Sequence, residues 1–232
     1  MKRVLITGAN RGLGLELVLQ CVQRGDHVFA GCRSPEKAVS LKEVSVKYPG
    51  QVTILPLEVT DEESIVRCAA KVAAEIDGLE LVFNNAAIHT DGEHLSEVNA
   101  ETMLKLIHVN AVGAVLVAKA FVNLQKKGTD PKLVNISSES GSIERMRDFR
   151  GYNYYGSKAA MNMYTRSLAW DPETGGITVI AIHPGWVRTD MGGSNADIST
   201  AQSVEGILQV TEGLTSEENG KFYTWEGQEY PW

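Results

Sequence analysis

A short apolar run at residues 4–6 ends in Thr7-Gly8-Ala9-Asn10-Arg11-Gly12-Leu13-Gly14 and passes directly into a stretch of helical period. Three glycines in that setting constrain the chain more than any other feature. Gly8 permits a tight turn out of a strand. Gly12 lets backbone approach a pyrophosphate with no Cβ in the way, and Gly14 lets a helix pack close to a sheet. The helix N-terminus behind them offers free N–H groups and a partial positive charge to phosphates. The spacing is G-x-x-x-G-x-G, so the position between a strand and an amphipathic helix carries the inference, not the glycines alone.

The rest of the chain repeats the same alternation. Apolar, β-branched runs at 4–6, 27–31, 52–57, 79–83, 132–137, 178–183 and 221–224 predict about seven strands. Helical patterns cover 13–24, 100–126, 154–170 and 200–214. Two more helices are opened by Ser34 as N-cap before Pro35 and by Thr60-Asp61-Glu62-Glu63, whose carboxylates suit a helix's positive end. Continuous apolar strands alternating with helices predict an α/β, Rossmann-type doubly wound parallel sheet with helices on both faces. No linker or repeat divides it, so residues 1–232 are expected to form a single domain. Loops 139–153 and 189–199 follow strands and belong at the carboxyl edge of the sheet, where ligands bind.

Composition excludes several classes of partner. Lys plus Arg is 22 against 29 Asp plus Glu, a net charge of −7, which argues against nucleic acid and anionic membrane surfaces. No window is expected to approach a membrane span, and no signal-like apolar segment precedes the first strand. The three cysteines, Cys21, Cys32 and Cys68, form no C-x-x-C pair; a reducing, cytoplasmic setting and small buried apolar roles are expected. Asn135-Ile136-Ser137 matches a glycosylation sequon but lies in a strand that reads as buried. His89, His94 and His108 lack metal-ligand spacing, so no metal is expected, and His183 reads as structural.

The choice of dinucleotide is read at the end of the second strand. An NAD site usually carries Asp or Glu there to accept from the ribose 2′-OH. This chain has Ala30-Gly31-Cys32-Arg33-Ser34. With no carboxylate, Arg33 is placed to hold a 2′-phosphate through a bidentate pair, with Arg11 clamping from the glycine loop. The expected cofactor is NADP (NADPH) rather than NAD.

Tyr154-x-x-x-Lys158 places a phenol and an amine one turn apart on one helix face. Reducing a carbonyl requires a proton for the developing alkoxide. A free phenol has a pKa of about 10. A neighbouring ammonium favours phenolate and is expected to lower that pKa, making Tyr154 a general acid and, in reverse, a general base. The strand 132–137 ends in hydroxyls, and Ser138 at its exit is the choice to donate to the substrate oxygen, ahead of Ser137 and Ser140. Asn85, at another strand end, either bridges strands or contacts the cofactor. Asn110, inside an apolar helix, is either a satisfied core amide or a kink holding a water on a relay to Lys158.

At these residues the chain resembles the short-chain dehydrogenase/reductase family over nearly its whole length. The resemblance rests on Thr7-Gly8-x-x-x-Gly12-x-Gly14, Asn84-Asn85-Ala86, Asn110, Ser138, Tyr154-x-x-x-Lys158 and Pro184-Gly185-Trp186-Val187-x-Thr189. The short length, Ala30-Gly31-Cys32-Arg33 and the segment from Gly220 to Trp232 are similar to the C-factor and sniffer-type carbonyl reductases. The resemblance implies a catalytic tetrad of Asn110, Ser138, Tyr154 and Lys158, with Lys158 also on the nicotinamide ribose. It implies cofactor contacts from Gly8, Asn10, Arg11, Gly12, Leu13, Gly14, Arg33, Glu58, Val59, Asn85, Ala86, Tyr154, Pro184, Val187 and Thr189. It implies an NADP-dependent oxidoreductase acting on a small-molecule carbonyl compound (aldehyde, ketone or quinone), with a homodimer or homotetramer built on the 100–126 helix. The alternative is a non-enzymatic cofactor-sensing or signalling protein on the same scaffold.

Three departures from the family pattern stand out. Glu58 replaces an Asp expected to contact adenine. Ala87 replaces the glycine of Asn-Asn-Ala-Gly. The segment from Ser138 to Tyr154 is longer than usual and carries Glu144, Arg145, Arg147, Asp148 and Arg150. That segment is either a solvated loop or a wall preferring a polar or anionic substrate.

Overall fold

In the computed structural model, which describes residues 1–90 and 92–232, seven parallel strands form one sheet in the order β3-β2-β1-β4-β5-β6-β7. The strands are β1 (Arg3–Thr7), β2 (His27–Cys32), β3 (Val52–Pro56), β4 (Leu81–Asn84), β5 (Lys132–Ile136), β6 (Thr178–His183) and β7 (Phe222–Thr224). The helices are α1 (Gly12–Gln23), α2 (Val39–Lys47), α3 (Glu62–Glu75), α4 (Ala100–Ile107), α5 (Gly113–Gln125), α6 (Asn153–Trp170) and α7 (Thr200–Gly213). Strand order reverses between β1 and β4, and the crevice outside the carboxyl ends at that point is where such sheets bind ligands.

Strand periodicity explains why both faces need helices. Val4, Ile6, Val28, Ala30, Phe83, Val134 and Ile180 pack on one side with Leu17 of α1, Leu41 of α2 and Ile207 of α7. Their sequence neighbours Leu5, Phe29, Val82, Leu133 and Val179 pack on the other with Ile65 of α3 and Val117 and Phe121 of α5. Successive side chains of a strand point to opposite faces, so apolar residues without alternation fill two cores at once. All three cysteines are free and buried, and burial pushes their thiols up, Cys21 to about 12 and Cys68 to about 11. Asn135 of the sequon is buried within β5.

Three local expectations are corrected. Ser34 makes no side-chain cap; its carbonyl instead accepts from Lys37 N (3.0 Å), closing a single 3-10 turn, and α2 starts only at Val39. The helix expected at 100–126 is two helices joined by a π-helical turn, His108–Val112, with Asn110 at its centre. The stretch Ala100–Gln125 is also long and apolar enough, by length and composition, to cross a membrane. That overturns the expectation that no window approaches such a span. Here Val117, Ala118 and Phe121 of that stretch are buried in the protein's own core, which is how a core helix passes the same test.

Candidate active site

The glycine loop leaves β1 through Gly8, whose φ of +66° suits glycine, and turns again at Gly12, φ +54°. A Cβ on Gly8 would lie 2.9 Å from Ala86 Cα, and one on Gly14 would lie 2.2 Å from the Gly8 carbonyl oxygen. Those two glycines therefore set the close approach of helix, loop and strand. A Cβ on Gly12 would meet only Thr189, at 3.5 Å, so that stretch of backbone stays open to the cleft. Asn85 bridges the strands, its Nδ2 donating to Thr7 O (2.9 Å) and Gly8 O (3.2 Å), and it also lines the cleft. Thr7 Oγ1 in turn accepts from Asn85 N and Ala86 N, both at 3.0 Å, tying the ends of β1 and β4 together.

A cleft of about 650 Å³ opens over this junction. Every residue expected to touch the cofactor lines it except Val187, which is buried and pairs with Ile198. The glycine loop and Arg33 line the cleft together with Tyr154 and Lys158. Arg33 is exposed, with its Nε 3.9 Å from Glu58 Oε2. Glu58 is itself occupied locally, its Oε1 accepting from Thr60 N (3.2 Å) and Thr60 Oγ1 (2.9 Å). Arg11 pairs with Asp190 (3.0 Å), which joins the glycine loop to the loop after β6. Open backbone at Gly12 and an exposed guanidinium beyond β2 suit the diphosphate and a 2′-phosphate of a dinucleotide.

Tyr154 is the second residue of α6 and Lys158 lies one turn on. Lys158 is 2 % exposed and donates to Ile136 O at the end of β5 (2.7 Å). Burial pushes its ammonium down to about 7. Tyr154 is half-buried, with its ring centroid 5.7 Å from Lys158 Nζ. Desolvation raises its phenol to about 12, opposed by a hydrogen bond with Ser138. The expected lowering by Lys158 is therefore not realised: the amine is itself desolvated and committed to Ile136. Proton transfer by the Tyr154–Lys158 pair should consequently lose efficiency as pH rises through about 7, where Lys158 sheds its proton while Tyr154 keeps its own. A pH profile of kcat/KM checks this, and the falling limb should be missing in Lys158→Met.

The structure separates the competing serines. Ser137 donates to the buried Asn162 Oδ1 (2.5 Å), so its proton is spent. Ser138 Oγ accepts from Ser140 N (3.1 Å), so its hydroxyl proton points away from that amide, and it faces the Tyr154 phenol, whose pKa it pulls down. Asn110 is fully buried and locked: it exchanges hydrogen bonds with the Ile88 backbone (2.8 and 2.9 Å) and donates to Ser157 Oγ (2.9 Å). Its side chain thus joins the β4 exit to α6 beside Lys158, rather than touching Lys158 itself. Thr189 accepts from Gly192 N (3.1 Å) and lays its methyl over Gly12.

Sequence reasoning missed several residues of the site, Ile88, Lys105 and Val109 of the cleft wall among them. Lys37 and Met191 line the cleft. His89 meets the Tyr154 ring edge-on, centroids 4.7 Å apart. Lys37 had a readable signal, a second cation four residues past Arg33. His89 follows a strand exit, but nothing in the sequence points it at Tyr154.

The chain is similar to known proteins over most of its length. The sequence pattern of the short chain dehydrogenases matches residues 2–199. The NADPH-bound carbonyl reductase from chicken fatty liver is 35 % identical, with a TM-score of 0.94 covering 100 % of this chain and 99 % of that one. The carbonyl reductase Sniffer of D. melanogaster is 32 % identical, with a TM-score of 0.95 over 100 % of both chains. The C-signal protein of Myxococcus xanthus is 34 % identical over 154 residues, 66 % of this chain and 93 % of that one.

Proposed function

The chain belongs to the short-chain dehydrogenase family, and from that premise we propose that it is an NADPH-dependent carbonyl reductase interconverting an aldehyde, ketone or quinone with its alcohol. The observation that carries this reading is a single cleft in which Tyr154 and Lys158 share walls with the glycine loop and Arg33. A bound nicotinamide supplies the hydride, or receives it in the reverse direction. Gly12 leaves room for the phosphates, Gly8 and Gly14 let the loop and helix close around that space, and Asn10, Arg11 and Leu13 lie beside it. Arg33 takes the 2′-phosphate, and Pro184 and Thr189 form the far wall.

The chain's own residues manage the proton. Reduction needs Tyr154 in its acid form, and burial that raises the phenol to about 12 keeps it so across neutral pH. The phenol releases that proton to the carbonyl oxygen as negative charge develops there. Ser138, its lone pair engaged by Ser140 N, turns its hydroxyl proton from Tyr154 to the same oxygen. Lys158, while protonated, stabilises the phenolate left behind. Asn110 fixes α6 through Ser157, which keeps the Tyr154–Lys158 pair in register.

The test is ligand linkage followed by turnover. At 100 times its dissociation constant a ligand stabilises by about 2.7 kcal/mol, or roughly 5–10 °C in Tm for a chain of this size. NADPH at a given concentration is expected to raise Tm well above the shift from NADH, and carbonyl compounds are expected to drive NADPH oxidation. Equal shifts would remove the NADP assignment. Binding without turnover on any carbonyl of a broad panel would favour the sensing alternative, although a sensor has no chemical need of Ser138 and Tyr154 together.

A further inference from the structure

We propose that Glu93 is a positioning residue for the reaction, clamping the N-terminus of the helix that carries Tyr154 from across the chain. The proposal rests on the carbonyl-reductase reading for its turnover arm only. Glu93 Oε1 accepts from Tyr152 N (3.0 Å) and also from Asn153 N, the first residue of α6. No side chain of the helix's own does this: Tyr152 occupies the N-cap position and makes no side-chain cap. A helix start leaves four N–H groups without intrahelical partners, and a carboxylate meets two of them here with charge-assisted bonds at the positive end of the dipole.

The reach depends on close backbone contact. Gly151 sits at φ +112°, and a Cβ there would lie 3.1 Å from Gly92 Cα and 3.3 Å from Glu93 Oε2. A Cβ on Gly92 would lie 3.0 Å from Arg150 O. Gly92 and Gly151 thus let the two segments abut, and Glu93 spans what remains. The same segment touches the catalytic side chain directly, through the edge of His89 against the Tyr154 ring. One stretch of chain after β4 therefore holds Tyr154 by its ring and its helix by the first amide groups. The first turn of α6 is aimed by this contact.

The contact is also specific in length. Glu93→Asp keeps the charge but loses a methylene of reach; Glu93→Gln keeps the reach and the acceptor but loses the charge. Amide hydrogen exchange at Tyr152 and Asn153 is measured alongside steady-state kinetics and NADPH binding. In Glu93→Ala and Glu93→Asp these amides are expected to exchange faster. Carbonyl-reduction kcat should fall by about ten- to a hundredfold, as displacement of a reacting group by an ångström does. The KM for carbonyl and the NADPH dissociation constant should stay within about twofold, since Glu93 does not line the cleft. Glu93→Gln should recover most of kcat. Unchanged exchange in Glu93→Asp would overturn the clamp whatever the activity, as would accelerated exchange with wild-type kcat. Should Glu93→Ala fail to fold, the Asp and Gln pair decides. Protection lost in Glu93→Asp in an enzyme whose wild type reduces no carbonyl would keep the clamp and overturn the function assigned to it.

Discussion

Tyr154→Phe is expected to lower carbonyl-reduction kcat by about a hundred- to ten-thousandfold, the usual worth of a positioned general acid. The substitution removes one oxygen. The ring keeps its edge contact with His89, and the helix start keeps its clamp at Glu93. Lys158 is anchored to Ile136 independently of the phenol, so the cofactor wall it helps to form stays in place. The NADPH dissociation constant should accordingly remain within about threefold, and the loss should fall on kcat and kcat/KM together, as it does for an interaction made in the transition state. Tm should fall by no more than a few degrees, because a half-buried phenol gives up one hydrogen bond, that with Ser138, worth about 1 kcal/mol. Stopped-flow NADPH oxidation under single turnover measures the chemical step directly. Turnover in Tyr154→Phe within tenfold of wild type would sink the mechanism and shift the proton to water or to Ser138. Ser138→Ala offers the contrast: it removes a donor to the developing oxyanion and also the one bond that opposes the high pKa of Tyr154.

Much of this arrangement is written locally. Parallel strands buried on both faces read as unbroken apolar runs, which is why Val4, Leu5 and Ile6 announce β1 while feeding two different cores. Tyr154 and Lys158 are readable because their pairing follows from helical period alone. What was not legible depends on contacts distant in sequence or on burial. Ser137 and Ser138 are adjacent and chemically alike; strand parity sends one into Asn162 and the other toward Tyr154, and the sequence does not say which face holds the site. The direction of the Tyr154 shift was misjudged for the same reason. Pairing with Lys158 is visible in the sequence, whereas desolvation of both groups is a property of the assembled fold. Glu93 reads as a surface acid in a loop until Gly92 and Gly151 bring it to the start of a helix 60 residues away. The π turn at Asn110 was foreshadowed by an amide in an apolar helix, since such turns gather at functional sites, but its partner Ile88 was not.

Arg33→Ala is expected to weaken NADPH binding by about ten- to a hundredfold, since a hydrogen bond to a charged group contributes about 1.5–3 kcal/mol, and to leave NADH binding within about twofold. Arg33 is the first residue beyond β2 and stands where an NAD site would place an acid. Its guanidinium is exposed and already has a weak partner in Glu58, at 3.9 Å. Glu58 is tethered by Thr60 and stays close when Arg33 turns to a phosphate. Its charge then opposes the ligand's. Glu58→Gln should therefore tighten NADPH by a few fold and leave NADH unmoved, the opposite sign to Arg33→Ala. Because these groups face solvent, the preference should also be screened by salt, with a Debye length of about 10 Å at 0.1 M. The ratio of NADH to NADPH dissociation constants in wild type should fall as salt rises, and in Arg33→Ala it should be lower and fall less steeply. Lys37, on the same rim of the cleft, supplies the residual preference that remains in that variant. Calorimetric titration of both dinucleotides at two salt concentrations separates these effects. An Arg33→Ala protein with an unchanged, salt-sensitive ratio would move the 2′-phosphate away from β2, to Arg11 on the glycine loop, where release of the Asp190 pair would free the guanidinium to receive it.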